Sequence, residues 1–259
     1  MSSLPILYAE ERRQSILELV NRSGRVAVGD LSKRFGVSSV TIRTDLQTLA
    51  EQNLLVRTHG GAVSTGPAAA EMAIALRRER KVREKQRIGR AGAALAANGD
   101  AVYLDSSSTS LAIARFLKSR RLLTVITNSL MIVQELLDAP HIQVMLTGGS
   151  FQRETAAFVG PYTHAFLNQV HIQIGFFGAH GIAAEPGLTD ISPEIAAAKR
   201  PVLKRCRQAV AVVDASKWGR VGIAPFAGID EIDIIITDDS APADAVRAVE
   251  AMGADVRFV

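Results

Sequence analysis

Cysteine is almost missing from this chain of 259 residues: Cys206 stands alone. A lone cysteine excludes an internal disulfide and points to a reducing compartment. Five scattered histidines and that one thiol offer no metal-ligand spacing, so neither a metal nor a cofactor is expected. No run approaches the roughly 18 to 20 uninterrupted apolar residues of a membrane span. Near the N-terminus, Glu10, Glu11, Arg12 and Arg13 stand where a signal peptide would carry its apolar core. No repeat of fixed period runs through the chain. These absences predict a cytoplasmic protein without a membrane partner.

What is present is a globular composition, 47% hydrophobic and 22% charged, which can bury a sizeable core and excludes general disorder. At roughly 100–200 residues per domain, the length suits about one and a half to two domains. The net charge of +4 is modest, but its location is not even. Arg77, Arg78, Arg80, Lys81, Arg83, Lys85, Arg87 and Arg90 face only Glu79 and Glu84, a local +6 that leaves −2 for everything else. Such a cluster reads either as the solvated face of a helix or as a surface for phosphates.

The pattern changes near Ser64. Ser64-Thr-Gly-Pro-Ala-Ala-Ala70 is small and uncharged, as a linker is. Glu71 to Ala97, rich in Ala, Arg, Lys and Leu, predicts a helix interrupted only by Gly89 and Gly92. Apolar runs follow at Ala101–Leu104, Leu122–Ile126, Ile142–Leu146, Ile172–Phe177, Ala209–Val213, Ile232–Ile236 and Val256–Val259. Helical patterns separate many of them, near Leu111–Leu117, Leu130–Leu137, Glu194–Cys206 and Ala243–Met252. Near-continuous apolar strands with helices between them predict an α/β domain with a mostly parallel sheet covered on both faces. The expected division is therefore residues 1–64, a linker and basic helix over 65–98, and an α/β domain over 99–259.

In the first part, Ile16, Leu17, Leu19 and Val20 mark an amphipathic helix closed by Ser23-Gly24, and Val26 and Val28 alternate as a short strand. Asp30 is placed to cap a second helix, Leu31–Phe35. Gly36 suits a positive φ, Val37 plugs inward and Ser38 can cap the helix that follows. There Ile42, Leu46 and Leu49 fall at i, i+4 and i+7, one buried stripe, which leaves Ser39, Thr41, Arg43, Thr44 and Gln47 for other surfaces. Two short helices about a glycine turn make a helix-turn-helix. A major groove about 12 Å wide admits one such helix, whose first residues reach base edges. Leu54–Arg57 and the run from His59 to Val63 look like a two-stranded wing. The candidate contacts to a double-stranded DNA operator are Ser38, Ser39, Thr41, Arg43, Thr44, Gln47, Arg57 and His59, with Arg43 foremost for base readout. A three-helix interaction module that never touches DNA is the competing reading of the same pattern.

Ser38-Ser-Val-Thr-Ile-Arg-Thr-Asp-Leu46, followed by Arg57-Thr-His-Gly-Gly-Ala62, resembles the N-terminal motif of the DeoR family of bacterial transcription regulators. The likeness extends from about Glu11 to Ile236. It implies a repressor of carbohydrate-metabolism genes. The family often carries a second arginine where this chain has Thr44. Helix-turn-helix readers usually bind pseudo-palindromic sites as dimers, so a homodimer or homotetramer is expected.

In the larger part, strand Ala101–Leu104 runs into Asp105-Ser-Ser-Ser-Thr-Ser110 and then a helix. Hydroxyls and backbone N–H groups at a strand-to-helix turn make a ready anion site, although a plain helix cap reads the same way. Thr127-Asn128-Ser129, Thr147-Gly148-Gly149-Ser150, Gly178-Ala-His180-Gly181 and Asp214-Ala-Ser-Lys217 also follow apolar strands. In open α/β sheets ligands bind at that edge. The resemblance to the DeoR C-terminal domain implies a fold similar to ribose-5-phosphate isomerases and a phosphorylated sugar effector. On that basis Asp105, Ser106, Ser107, Ser108, Thr109 and Ser110 would hold phosphate. Asn128, Gly148, Gly149, Asp214 and Lys217 would line the remainder. Ser107 stands where the family commonly has glycine, and Ile195 where it commonly has glutamate, with Glu194 just before it. His180 and Trp218 adjoin the same loops, though ordinary packing accounts equally for Trp218. A sugar-phosphate isomerase using Asp105, Asp214 and Lys217 as acid and base groups is the rival function. Such an enzyme has no evident use for the N-terminal module, and fold similarity alone does not transfer catalysis, so no catalytic residue is assigned.

Overall fold

A computed structural model describes residues 8–51, 54–63, 77–153, 155–160, 167 and 170–259. The expected linker Ser64–Ala70, the first residues of the expected basic helix (71–76) and His164 lie outside them. The chain divides into two compact units between Arg77 and Arg78.

In the first unit, α1 (Ala9–Ser23), α2 (Val28–Phe35) and α3 (Ser39–Glu51) surround a core of Ile16, Val20, Leu31, Ile42, Leu46 and Leu49. Gly24 and Gly36 end α1 and α2 in the left-handed conformation, with φ of 74° and 64°. Val37 packs against the core, and the Ser38 hydroxyl accepts the Thr41 N–H at 3.1 Å, so the turn forms as its residues demand. Strands β1 (Arg25–Ala27), β2 (Val56–Arg57) and β3 (Gly61–Val63) form an antiparallel sheet in the order β1-β3-β2. The wing therefore has a third strand. Asp30 is not a cap. Val28 is buried and its N–H is held by the Gly60 carbonyl at 2.7 Å, which starts α2 directly from β1 and leaves Asp30 inside the first turn. There its charge complements the helix dipole.

The second unit is built on a seven-stranded sheet in which every pairing is parallel. Its strands are β4 (Ala101–Leu104), β5 (Thr124–Thr127), β6 (Gln143–Leu146), β9 (Ile172–Phe177), β12 (Cys206–Val212), β14 (Ile234–Thr237) and β15 (Asp255–Phe258), in the order β15-β14-β12-β9-β4-β5-β6. Helices α4 (Val82–Leu95), α5 (Ser108–Leu117), α6 (Leu130–Glu135), α7 (Pro193–Leu203) and α8 (Ala243–Glu250) cover it. Two hydrophobic clusters flank the sheet, one around Tyr103, Phe177 and Phe226, the other around Ile88, Ile113 and Phe176. Burying each such side chain contributes roughly 1.5–3 kcal/mol. A hairpin of β7 (Ser150–Gln152) and β8 (Ala157–Val159), and a small sheet of β10 (Gly181–Ala183), β11 (Gly187–Asp190) and β13 (Ala224–Ala227), complete the unit. The expected basic helix is broken: Lys81 has φ 55° and α4 begins only at Val82. Gly89 does not weaken α4 without return, because a Cβ there would lie 2.8 Å from the Ala112 backbone. Its absence lets α4 and α5 pack closely.

Candidate functional site

On α3 the stripe of Ile42, Leu46 and Leu49 is buried, and Asp45 is buried with it. The Asp45 carboxylate is held by Arg12 Nε at 2.6 Å and Arg13 Nε at 3.1 Å, so α1 and α3 are joined by an ion cluster. At about 100° per residue the opposite face carries Val40, Thr44 and Gln47, with Arg43 on its flank. All of these are exposed, as are Ser38 and His59, while Ser39, Thr41 and Arg57 are half-buried.

Several of these polar groups already have partners. Ser38 and Thr41 hydroxyls lie 2.9 Å apart, and Thr44 donates to the Val40 carbonyl at 3.1 Å. Gln47 donates to Glu51 at 2.7 Å and accepts from Arg57 Nη1 at 2.8 Å, which ties the wing to α3. Among the described residues Arg43 makes no hydrogen bond or ion pair, so its five donors remain for a ligand. His59 lies in the turn between β2 and β3.

In the second unit the parallel sheet brings all the expected loops to one edge. The strand order runs outward from β4 to β5 and β6 on one side and to β9 and β12 on the other. The switch point thus falls between β4 and β9, where open α/β sheets bind ligands. At about 4.8 Å per strand, the β6 and β12 ends stand roughly 19 Å apart, so Gly148 and Gly149 lie across the edge from Asp214 and Lys217. One small ligand centred on β4 cannot span both ends. Ser106, Ser107 and Ser108 are partly exposed at the switch, and Ser107 caps α5 by accepting the Ser110 N–H at 3.0 Å. Thr109 and Ser110 are buried.

Three expected ligand groups are engaged inside the protein. Asn128 is buried, accepts the Tyr103 hydroxyl at 3.4 Å and donates to the Phe158 carbonyl at 3.3 Å, which holds the β7–β8 hairpin. Asp214 is buried and caps the 3-10 turn Ala215–Lys217 through the Ser216 N–H at 2.9 Å. Asp105 is wholly buried; its Oδ1 accepts from Ser107 N and Ser110 Oγ, and its Oδ2 from Gly178 N and Lys199 Nζ. With its lone pairs filled, Asp105 shapes the loop from below. Trp218 is buried and donates its indole N–H to Thr237 at 2.9 Å, so it is a packing residue. Glu194 is exposed and Ile195 buried at the start of α7.

Lys199 is the residue that sequence reasoning missed. Its ammonium reaches Asp105 Oδ2 at 2.8 Å, Asp190 Oδ2 at 2.7 Å and the Gly178 carbonyl at 2.7 Å, with the Phe226 ring at 4.8 Å. Three protons meet three oxygens. Burial by itself would lower its pKa, but the Asp105 and Asp190 carboxylates outweigh burial and raise it above the ordinary lysine value. A signal was there to see: Lys199 falls on the apolar stripe of α7, four residues after Ile195 and three before Val202. A second missed group is Thr147 Oγ1 at the end of β6, buried and without a partner among the described residues. A cleft of about 350 Å³ lies elsewhere, against α5 and α6, lined by Arg78 and by Lys118, the latter paired with Glu135 and Asp138.

A family model for the DeoR C-terminal sensor domain matches residues 80–239, and one for the DeoR-like helix-turn-helix domain matches residues 12–67. The chain belongs to the DeoR family. This DeoR-family chain is thus a DNA-binding transcription regulator and not an isomerase. It is 36% identical to YgbI, an HTH-type transcriptional regulator of Escherichia coli K12, over 92% of this chain and 93% of that protein. It is 30% identical to the glycerol-3-phosphate regulon repressor of the same organism, over 92% of this chain and 94% of the repressor. A ribose 5-phosphate isomerase A from Methanocaldococcus jannaschii superposes with a TM-score of 0.39 at 17% identity, over 51% of this chain and 52% of the isomerase. Among the described residues no helix of this DeoR-family protein is long and apolar enough to cross a membrane.

Proposed function

We propose that this chain represses carbohydrate-metabolism genes in the cytoplasm and that a phosphorylated sugar sets its grip on operator DNA. The observation that carries this reading is the meeting of the Ser106–Ser108 loop with the β9 end at the strand-order switch, above the Lys199 cluster. Phosphate would sit on the Ser106 and Ser108 hydroxyls and the start of α5, where helix N–H groups favour an anion, with Ser107 holding the cap. Asp105 and Lys199 hold that loop in place. Gly148 and Gly149 on one side, or Lys217 on the other, would line the remainder of the sugar. Relatives that include a glycerol-3-phosphate regulon repressor support a small phosphorylated ligand.

On DNA, Arg43 makes the main base contact and Arg57 and His59 meet the backbone. Two copies bind a pseudo-palindromic site. Effector must bind one conformational state of the protein better than the other, or it shifts nothing. The test is operator binding by purified protein across a panel of sugar phosphates, with promoter output measured in cells lacking the protein. Expected are a rise in output without the protein and at least one sugar phosphate that shifts operator affinity. Constant affinity with every sugar phosphate that demonstrably binds would sink the sensor reading. Arg43→Ala should lower operator affinity by about 1–3 kcal/mol, roughly 5- to 150-fold, without changing the melting temperature.

A further inference from the structure

Val40 stands in the second position of α3 with 67% of its surface exposed, and it is the sole large apolar side chain so exposed on that helix among the described residues. Nothing local accounts for it. Valine is a poorer helix former than alanine, so propensity gives no reason for its presence. It points away from the buried stripe of Ile42, Leu46 and Leu49, so the core gives none either. One turn along, Thr44 donates its hydroxyl proton to the Val40 carbonyl at 3.1 Å. Thr44 therefore brings no free donor, and its methyl extends the apolar stripe begun by Val40. Arg43, with its donors unspent among the described residues, borders that stripe.

A helix that enters the major groove with an apolar stripe beside an arginine has a matching partner in the DNA. Thymine alone places a methyl group, at C5, on that groove edge, while arginine pairs with guanine O6 and N7. Side chains three or four residues apart on a helix lie about 5–6 Å from each other, which spans one to two base steps of about 3.4 Å. We propose that Val40 and the Thr44 methyl read thymine 5-methyl groups within one or two base steps of the guanine bound by Arg43. The inference rests on the DNA-reading assignment above and adds the base that the outward face of α3 selects.

The experiment begins with the full-length protein and a pool of random duplexes from which its site is selected. The selected site is then remade with uracil replacing thymine at one position at a time, which removes the methyl and leaves every hydrogen-bonding group. Removal of one buried methyl predicts a drop of roughly fourfold in affinity at one or two positions next to a guanine. Val40→Ala, an exposed change to a better helix former, should keep the fold, bind the thymine site more weakly and lose the discrimination against uracil there. Uracil scanning without effect, or an effect that Val40→Ala leaves intact, would overturn the assignment. A Val40→Ala protein that binds thymine and uracil sites equally weakly but sediments as a smaller species would overturn it too, by making Val40 a contact between copies. If no sequence is enriched at all, DNA reading fails first and this inference fails with it.

Discussion

At the scale of single residues, Lys199 shares its three protons among Asp105, Asp190 and the Gly178 carbonyl, and the two carboxylates have no other counter-ion among the described residues. Lys199→Met leaves two buried carboxylates facing each other, at a cost of about 3–5 kcal/mol. For a unit of this size that is a fall of roughly 6–20 °C in melting temperature, measurable by calorimetry. Adding Asp190→Asn should recover part of the stability. Because the folded pKa of Lys199 is raised, its contribution is complete below the unfolded value near 10.4 and is lost only as pH climbs toward the folded one. Melting at pH 7 and pH 9 should therefore show no change traceable to this group. Cys206 behaves differently: burial first, and then Asp233, push its thiol up to about 12. Iodoacetamide at pH 8.5 should label it slowly in the native protein and quickly in urea. Equal rates would show an open thiol. Lys199 and Asp45 share a signature that a sequence can carry, a charge placed on an otherwise apolar helical stripe. What the pattern cannot supply is the partner: Asp105 lies far from Lys199 along the chain, as Arg12 and Arg13 do from Asp45, and Asp190, nine residues before Lys199, is brought to it only by the turn from β11 into α7.

At the scale of elements, the close approach of β9 to the β4–α5 loop is decided by one glycine. A Cβ on Gly178 would sit 2.4 Å from Ser107 Cβ and 2.5 Å from its Oγ. Gly178→Ala must push that loop away, so it should abolish the response to sugar phosphate while operator binding without ligand stays near wild type. Unaltered ligand response in this variant would remove the Ser106–Ser108 loop from the site. All seven strands of the parallel sheet overlap apolar runs in the sequence; the five inner ones, β14, β12, β9, β4 and β5, are largely buried and need no alternation, while the edge strands β6 and β15 are largely exposed. The small strands β10, β11 and β13 leave no such trace. They are three to four residues long, and β11 is buried throughout, so neither length nor alternation marks them. The break at Lys81 is equally silent, since nothing in a basic, alanine-rich run forbids a continuous helix.

At the scale of the whole molecule, the basic segment no longer reads as one uniform charged face. Lys85 is buried on the Arg80 carbonyl, Lys81 pairs with Glu84, Arg87 with Asp239, and Arg90 stacks over Phe116. Arg78, Arg80 and Arg83 are left exposed. If these three meet DNA phosphates, neutralising them should flatten the salt dependence of operator binding by about 0.9 log units for each phosphate no longer neutralised. An unchanged slope returns them to solvent. Coupling between sensing and reading carries its own check, because linkage is reciprocal. Whatever factor a sugar phosphate takes from operator affinity, saturating operator must take from sugar-phosphate affinity, as two titrations of one protein can show.

The sequence by itself determined the two-part plan, the helix-turn-helix and the set of strands, because burial periodicity, glycine turns and caps are local properties of a chain. It also placed Arg43 on an outward face, since the buried stripe of a helix defines its opposite. Only the tertiary structure decided which polar groups remain open to a ligand. Asp105, Asn128 and Asp214 lie at the expected edge, yet each is engaged within the protein, by Lys199, Phe158 and Ser216 respectively. Buried polar groups are nearly always paired, and for Asp105 part of that pairing is brought by strand order, which puts β4 beside β9 and residues 105 and 178 in contact. That adjacency is a matter of topology, and no local pattern in the chain encodes it.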